Sequence, residues 1–70
     1  MTEPNATNSL IKDYKRTFEG PEGERVLANL SMQCYENDPT FVDGNPNGTA
    51  FNEGKRFVLL HIRRLIAAQL

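Results

Sequence analysis

Two residues of this chain have the chemistry of a catalytic nucleophile and its base, Cys34 and His61, and each is the only residue of its type. Nucleophilic catalysis needs the two side chains within hydrogen-bond reach, together with a third group that orients the base. No serine or acid stands three or four residues from His61, and no oxyanion donor is evident. We therefore expect Cys34 to fill the core and His61 to lie on a helix surface, in a protein that is not an enzyme.

A second pattern is the segment from Asp43 to Gly48, which matches the start of a calcium-binding EF-hand loop, D-x-N-x-N-G. Such a loop needs a bidentate glutamate at its twelfth position, but Gly54 stands there and Glu53 comes one residue early. Pro46 also fits poorly inside the loop. The pattern favours a turn-rich connector. Because a lone cysteine and a lone histidine cannot complete a zinc site either, we expect no metal and no cofactor.

A third feature is the basic side of the last predicted helix, formed by Arg56, Arg63 and Arg64 with Lys55 beside them. It is either a solvated face that balances acidic residues elsewhere, or a contact with an acidic protein surface or the DNA backbone. The chain holds 8 Lys+Arg and 9 Asp+Glu, whereas general nucleic-acid binders are distinctly basic. DNA is therefore not the expected partner.

Phe41 and Val42 are isolated apolar residues in the polar, turn-rich stretch 36–49. They either plug the core or anchor an interface, where aromatic residues are enriched. A loop this long in so small a domain is typically functional or disordered, and the apolar pair argues against disorder. We therefore treat both residues as interface candidates, together with the three arginines.

Apolar residues at helical spacing predict three helices, so the fold class is an all-α, three-helix domain with a long loop between helices 2 and 3. We expect a flexible N-terminus over residues 1–7 and a single helical domain over residues 8–70. The predicted helices cover roughly residues 8–19, 21–36 and 50–69.

Local signals define the helix ends. Gly20 suits the left-handed position after a helix, and Pro21 suits the first turn of the next one. Gly23 should weaken the start of helix 2 by roughly 1 kcal/mol relative to alanine. Thr49 is expected to cap helix 3. We expect helices 2 and 3 to pack antiparallel and helix 1 to cross them, and the short connection favours antiparallel packing of helices 1 and 2 as well.

The last helix differs from the rest of the chain in its apolar face and in its charge. Residues 1–50 hold four basic and eight acidic residues, for a net charge of −4, whereas residues 51–70 hold four basic and one acidic, for +3. Opposite net charges predict attraction within the chain or between copies. The apolar face is wider than two short helices normally cover, so helix 3 lies centrally or meets a partner.

The length of 70 residues makes a folded monomer marginal, and one cysteine cannot form an internal disulfide. Oligomerisation or docking on a larger protein is the remaining source of stability. No apolar run reaches the ~20 residues of a membrane span, and the first residues, MTEPNATNS, are too polar for a signal peptide. These features predict a protein of a reducing cytoplasm with no membrane contact.

Two stretches together resemble a known family. The first is YKRTFEGPEGERVL at residues 14–27, with the pattern Phe–x–x–Pro–x–Gly–x–x–Val–Leu, and the second is DPTF at 38–41 followed by TAFNEGKR at 49–56 and an aliphatic helix containing His61. Over roughly residues 12–66 the chain resembles short podophage proteins encoded in the virion structural gene cluster, near portal, scaffold and capsid genes. The resemblance brings no catalytic residue with it.

The resemblance implies a small virion or virion-assembly protein, made in the bacterial host cytoplasm and located in the virion. Its partners would be phage structural proteins, portal or capsid, or further copies of itself. The alternative is a phage regulatory protein that binds and inhibits a host enzyme. A DNA-contacting packaging accessory, acting through the arginines of helix 3, is a third and weaker hypothesis.

Overall fold

The structure is a computed structural model that describes the backbone of residues 4–70 and the side chains from Thr7 onwards. Its elements confirm the predicted all-α class with three helices and a long second connection. They are α1 (Pro4–Thr17), α2 (Gly20–Gln33) and α3 (Pro46–Ala67).

The largest differences from the predicted helix ends are at the starts of α1 and α3, which each begin four residues earlier than predicted. Helix α1 begins at Pro4, within the stretch expected to be flexible, and residues 1–3 of that stretch lie outside the described part. Helix α3 begins at Pro46 and is capped by Asn45, whose side chain accepts the Gly48 N–H at 2.9 Å. The prediction that Thr49 caps this helix is wrong, because Asn45 and Pro46 supply a cap and a first turn one turn earlier.

A tight corner joins α1 to α2. Gly20 has a φ of 76°, in the left-handed region, as its type and position predict. Pro21 follows in the first turn of α2. Gly23 is buried against the backbone of Phe18, and a Cβ at residue 23 would lie 2.4 Å from the Phe18 carbonyl carbon. This glycine therefore lets the end of α1 approach α2 closely, at the expense of helix propensity.

The main helix–helix contact joins α1 to α3. Ile11 of α1 and Leu59 of α3 are the buried apolar side chains of the described residues, and Leu59 is fully buried. The Tyr14 ring meets His61 edge-on at 6.0 Å between ring centroids, and the Lys15 ammonium donates to the Ile66 carbonyl oxygen at 2.6 Å. The predicted antiparallel packing of helices 2 and 3 is wrong, because α2 makes few contacts with either helix along its length.

The molecule is flat and open. Its dimensions are 46 × 34 × 13 Å, so the helices spread in a plane instead of surrounding a common axis. The radius of gyration is 14.6 Å, whereas a compact chain of this length would have about 11 Å. A flat chain of this size cannot enclose a large core. Within residues 4–70, no helix has the length and apolar character needed to cross a membrane.

Candidate protein-interaction surface

An ion pair joins Glu36, just after α2, to Arg63 of α3. The Arg63 guanidinium donates to both carboxylate oxygens at 2.9 Å, and the Ser31 hydroxyl donates to one of them at 2.7 Å. Arg56 donates to the Glu36 carbonyl oxygen at 3.3 Å. Two arginines of α3 thus hold one residue at the end of α2, and we call the group Ser31, Glu36, Arg56 and Arg63 the clasp.

The end of α2 places Glu36 in this position. Tyr35 adopts a left-handed conformation with a φ of 60°, and the Glu36 N–H donates to the Ser31 carbonyl oxygen at 3.1 Å. This is a Schellman ending with tyrosine where glycine is usual. The Tyr35 ring packs against the Lys55 ammonium at 5.0 Å, and Lys55 lies the same distance from the Phe51 ring. These cation–π contacts stabilise the left-handed conformation of Tyr35, because they hold its ring in the position that this conformation gives it.

Acidification is expected to open the clasp. The hydrogen bond from Arg63, followed by that from Ser31, lowers the pKa of Glu36 below its ordinary value of 4.5. A carboxyl whose pKa folding lowers stabilises the folded chain above the ordinary value, and this stabilisation disappears as the pH falls through the lowered pKa. In urea melts, Glu36→Gln should be less stable than the wild type at neutral pH, and the difference should shrink as the pH falls below 4.5 and vanish once the pH is below the lowered pKa. An equal difference at both pH values would contradict the assignment.

The connection between α2 and α3 is held along the first turns of α3. The Val42 N–H donates to the Thr49 hydroxyl at 2.8 Å, and the Asn52 amide donates to the Thr40 carbonyl oxygen at 3.2 Å. The Thr40 hydroxyl donates to the Glu53 carboxylate. These bonds fix the backbone on both sides of Phe41, whose side chain remains 70% exposed. The loop therefore presents a phenyl ring to solvent from an ordered backbone.

Beside this ring lies a shallow pocket of about 340 Å³. The residues that line it carry no ionisable side chain, so the pocket offers apolar contact and amide or hydroxyl hydrogen bonds. They are Phe41, Val42, Gly44, Asn45, Pro46, Thr49 and Ala50. Together with the exposed ring, this pocket has the features of a protein-binding site.

The five residues singled out in the sequence fall into two groups. Phe41 and Val42 lie together at the pocket, with Val42 half-buried and Phe41 exposed. Arg56 and Arg63 belong to the clasp, although the Arg63 side chain is still 43% exposed. Arg64 is exposed, and within residues 4–70 it makes no hydrogen bond or ion pair. The structure therefore does not bring the five into one site. Arg56 and Arg63 bind Glu36 within the chain, whereas Arg64 lies on the surface.

The EF-hand-like segment, His61 and Cys34 are all parts of helices or of helix ends. Residues 46–48 of the EF-hand-like segment are the first turn of α3, and the Asn45 side chain caps that turn, so the segment is a helix start and not a ligand loop. His61 is exposed on α3, as predicted, with its ring against Tyr14. Cys34 is half-buried at the end of α2. In the described part of the chain, no group of three or more histidine, cysteine or acidic residues could hold a metal ion.

The fold and this surface define a small all-α domain of three splayed helices, held by one corner, one helix pair and one clasp. A family model described as "Bbp19-like phage protein" matches residues 14–69, which include the last four residues of α1 and all of α2 and α3. The chain belongs to this family of phage proteins. No match was found among curated proteins, and none among solved structures.

Proposed function

We propose that this phage protein is a small, non-enzymatic component of the virion or of its assembly in a podophage. It acts through protein–protein contacts at the portal, the capsid or the head–tail region. The observation that carries the proposal is the large surface of the isolated chain.

That surface exceeds what a compact monomer would show. The accessible surface is 5401 Å² for a mass of 7.9 kDa, whereas a compact monomer of this mass has about 4,400 Å². The excess, on the order of 1,000 Å², is similar to the roughly 800 Å² that one partner contributes to a standard interface. Contact with another protein would remove this excess from water and stabilise the fold by mass action.

Much of the exposed surface is apolar, which favours protein partners over small ligands. The large apolar residues that face solvent come from all three helices, the loop and the C-terminus. They are Leu10, Val26, Met32, Phe41, Phe51, Phe57, Val58, Leu60 and Leu70. A surface with this many exposed apolar side chains is typical of chains that fold into an assembly.

The polar groups of the site support a binding role more than a catalytic one. The Glu36 carboxylate is occupied by Arg63 and Ser31. The residues that line the pocket beside Phe41 carry no ionisable group, and the Thr49 hydroxyl among them accepts the Val42 N–H. Phe41 is the proposed anchor, and the exposed Arg64 is the proposed contact with an acidic protein surface.

Mass spectrometry of purified particles tests this function. We expect the wild-type protein in the particles, and we expect Phe41→Ser to be depleted from them at an unchanged cellular level. Phe41→Tyr keeps the ring and is the matched control, so it should be incorporated normally. Absence of the wild-type protein from particles and from assembly intermediates, with a host enzyme copurifying from infected cells, would overturn the proposal in favour of the regulatory alternative.

A further inference from the structure

A stripe of exposed residues runs along α3 on the side away from the fully buried Leu59. The spacing between its members alternates between three and four residues, which is the spacing of a coiled-coil seam. Every one of them is exposed, and Phe57 is 69% exposed. We call the stripe Ala50, Glu53, Phe57, Leu60, Arg64 and Ala67 the outer stripe.

The outer stripe has the same order of residue types from its N-terminal end as from its C-terminal end. From either end the order is a small residue, a charged residue and a large apolar residue, and the only difference is the sign of the charge. We propose that a second copy of this chain docks on the outer stripe, with the two α3 helices antiparallel about a two-fold axis between residues 58 and 59. This arrangement gives an isologous dimer, in which one patch meets itself.

The antiparallel register matches each residue with a suitable neighbour. Phe57 lies opposite Leu60 of the second copy, which buries the two large apolar side chains at the centre. Glu53 lies opposite Arg64 of the second copy, and the two alanines let the helix ends approach closely. Because the axis repeats each pair, the dimer contains two Glu53–Arg64 contacts at the rim of one apolar centre. A parallel pairing would place like charges opposite each other at both positions.

The contacts inside the chain leave these charges available. Arg56 and Arg63 are bound to Glu36, whereas Arg64 makes no hydrogen bond or ion pair within residues 4–70. Glu53 accepts the Thr40 hydroxyl and remains exposed, and a carboxylate accepts several hydrogen bonds. The opposite side of α3 is less suitable, because Leu59 is already fully buried there.

The excess surface also fits a second copy. The excess of about 1,000 Å² per chain is close to the share of one partner in a standard interface. A stripe of 18 residues would be about 26 Å long at the rise of an α-helix, which is enough for such a contact. The proposed dimer specifies the self-contact within the proposed function and rests on that function. Its affinity, however, is measured on purified protein without particles.

Charge reversal tests the pairing by sedimentation equilibrium. Arg64→Glu should weaken dimerisation about tenfold or more, because two attractive pairs become repulsive. The double variant Glu53→Arg, Arg64→Glu should regain most of the affinity, since it restores both pairs with the signs exchanged. Arg25→Glu makes the same charge change on exposed α2 and should leave the affinity unchanged. A monomeric wild type, or a double variant weaker than Arg64→Glu alone, would overturn the proposal.

Cross-linking tests the direction of the helices. In a Cys34→Ser background, a mixture of Glu53→Cys and Arg64→Cys chains should form a disulfide between the two different chains. Neither variant alone should cross-link efficiently, because the antiparallel register keeps each position away from its own copy. Efficient cross-links within each single variant, with none in the mixture, would overturn the antiparallel arrangement. Absence of the protein from particles would refute the proposed function but not this dimer.

Discussion

Replacing Leu59 with alanine is expected to reduce the free energy of unfolding by about 2–5 kcal/mol, the usual range for a buried leucine. Leu59 is 0% exposed and is the largest fully buried side chain among the described residues. A domain of this length has a total stability of only roughly 4–10 kcal/mol. The Leu59→Ala chain should therefore melt far below the wild type in circular-dichroism scans and lose the contact between α1 and α3.

The matched control is Leu10→Ala, the same change at a position of α1 that is 51% exposed. We expect this variant to keep most of the wild-type stability, because less apolar surface returns to water. Similar losses for the two variants would contradict the placement of the core between α1 and α3.

Replacing Gly23 with alanine is expected to destabilise the chain by about 1–3 kcal/mol, the typical cost of overpacking. Helix propensity alone predicts the opposite sign, a gain of about 1 kcal/mol. The clash decides the outcome, because the new Cβ would lie 2.4 to 2.7 Å from three backbone atoms of Phe18. Backbone atoms can move away only if the corner between α1 and α2 opens. Equilibrium urea unfolding measures the change.

Gly54→Ala is the control for helix propensity. This glycine also lies inside a helix, but a Cβ there would meet nothing within 4 Å. We expect it to stabilise the chain by up to about 1 kcal/mol. If both alanine variants raised the stability, the close approach of Phe18 to α2 would be wrong.

Local signals in the sequence were sufficient for the helices and for the first corner. Gly20 and Pro21 fix the break between α1 and α2 because their backbone preferences act without help from distant residues. The charge difference between the two parts of the chain predicted an attraction within the chain or between copies, and the ion pair of Glu36 with Arg63 is one contact of the first kind. The resemblance to phage proteins is confirmed by the family match.

The packing could not be predicted in the same way. The rule that short connections give antiparallel neighbours assumes that each helix seeks the largest apolar contact within its own chain. Helix α2 instead leaves Val26 and Met32 exposed and is held at its ends, by Gly23 at one and Glu36 at the other. Glu36 is one acid among several in the sequence, and only the left-handed turn at Tyr35 brings it to the arginines of α3.

The open shape connects these findings to the proposed function. A chain with two buried apolar side chains in its described part and an excess of exposed surface would gain stability from contact with another protein, as the proposed function requires. The clasp, the ordered loop at Phe41 and the outer stripe all involve α3. This helix therefore organises the fold on one side and carries the proposed contacts with other proteins on the other.

The most direct test of this account is the melting temperature of the wild-type protein as a function of its concentration. If contacts between chains stabilise the fold, the melting temperature rises steadily with concentration, and the rise is smaller for Arg64→Glu than for Arg25→Glu. A melting temperature that does not change with concentration, together with a single monomer species in the ultracentrifuge, would contradict the claim that this chain completes its structure with another copy.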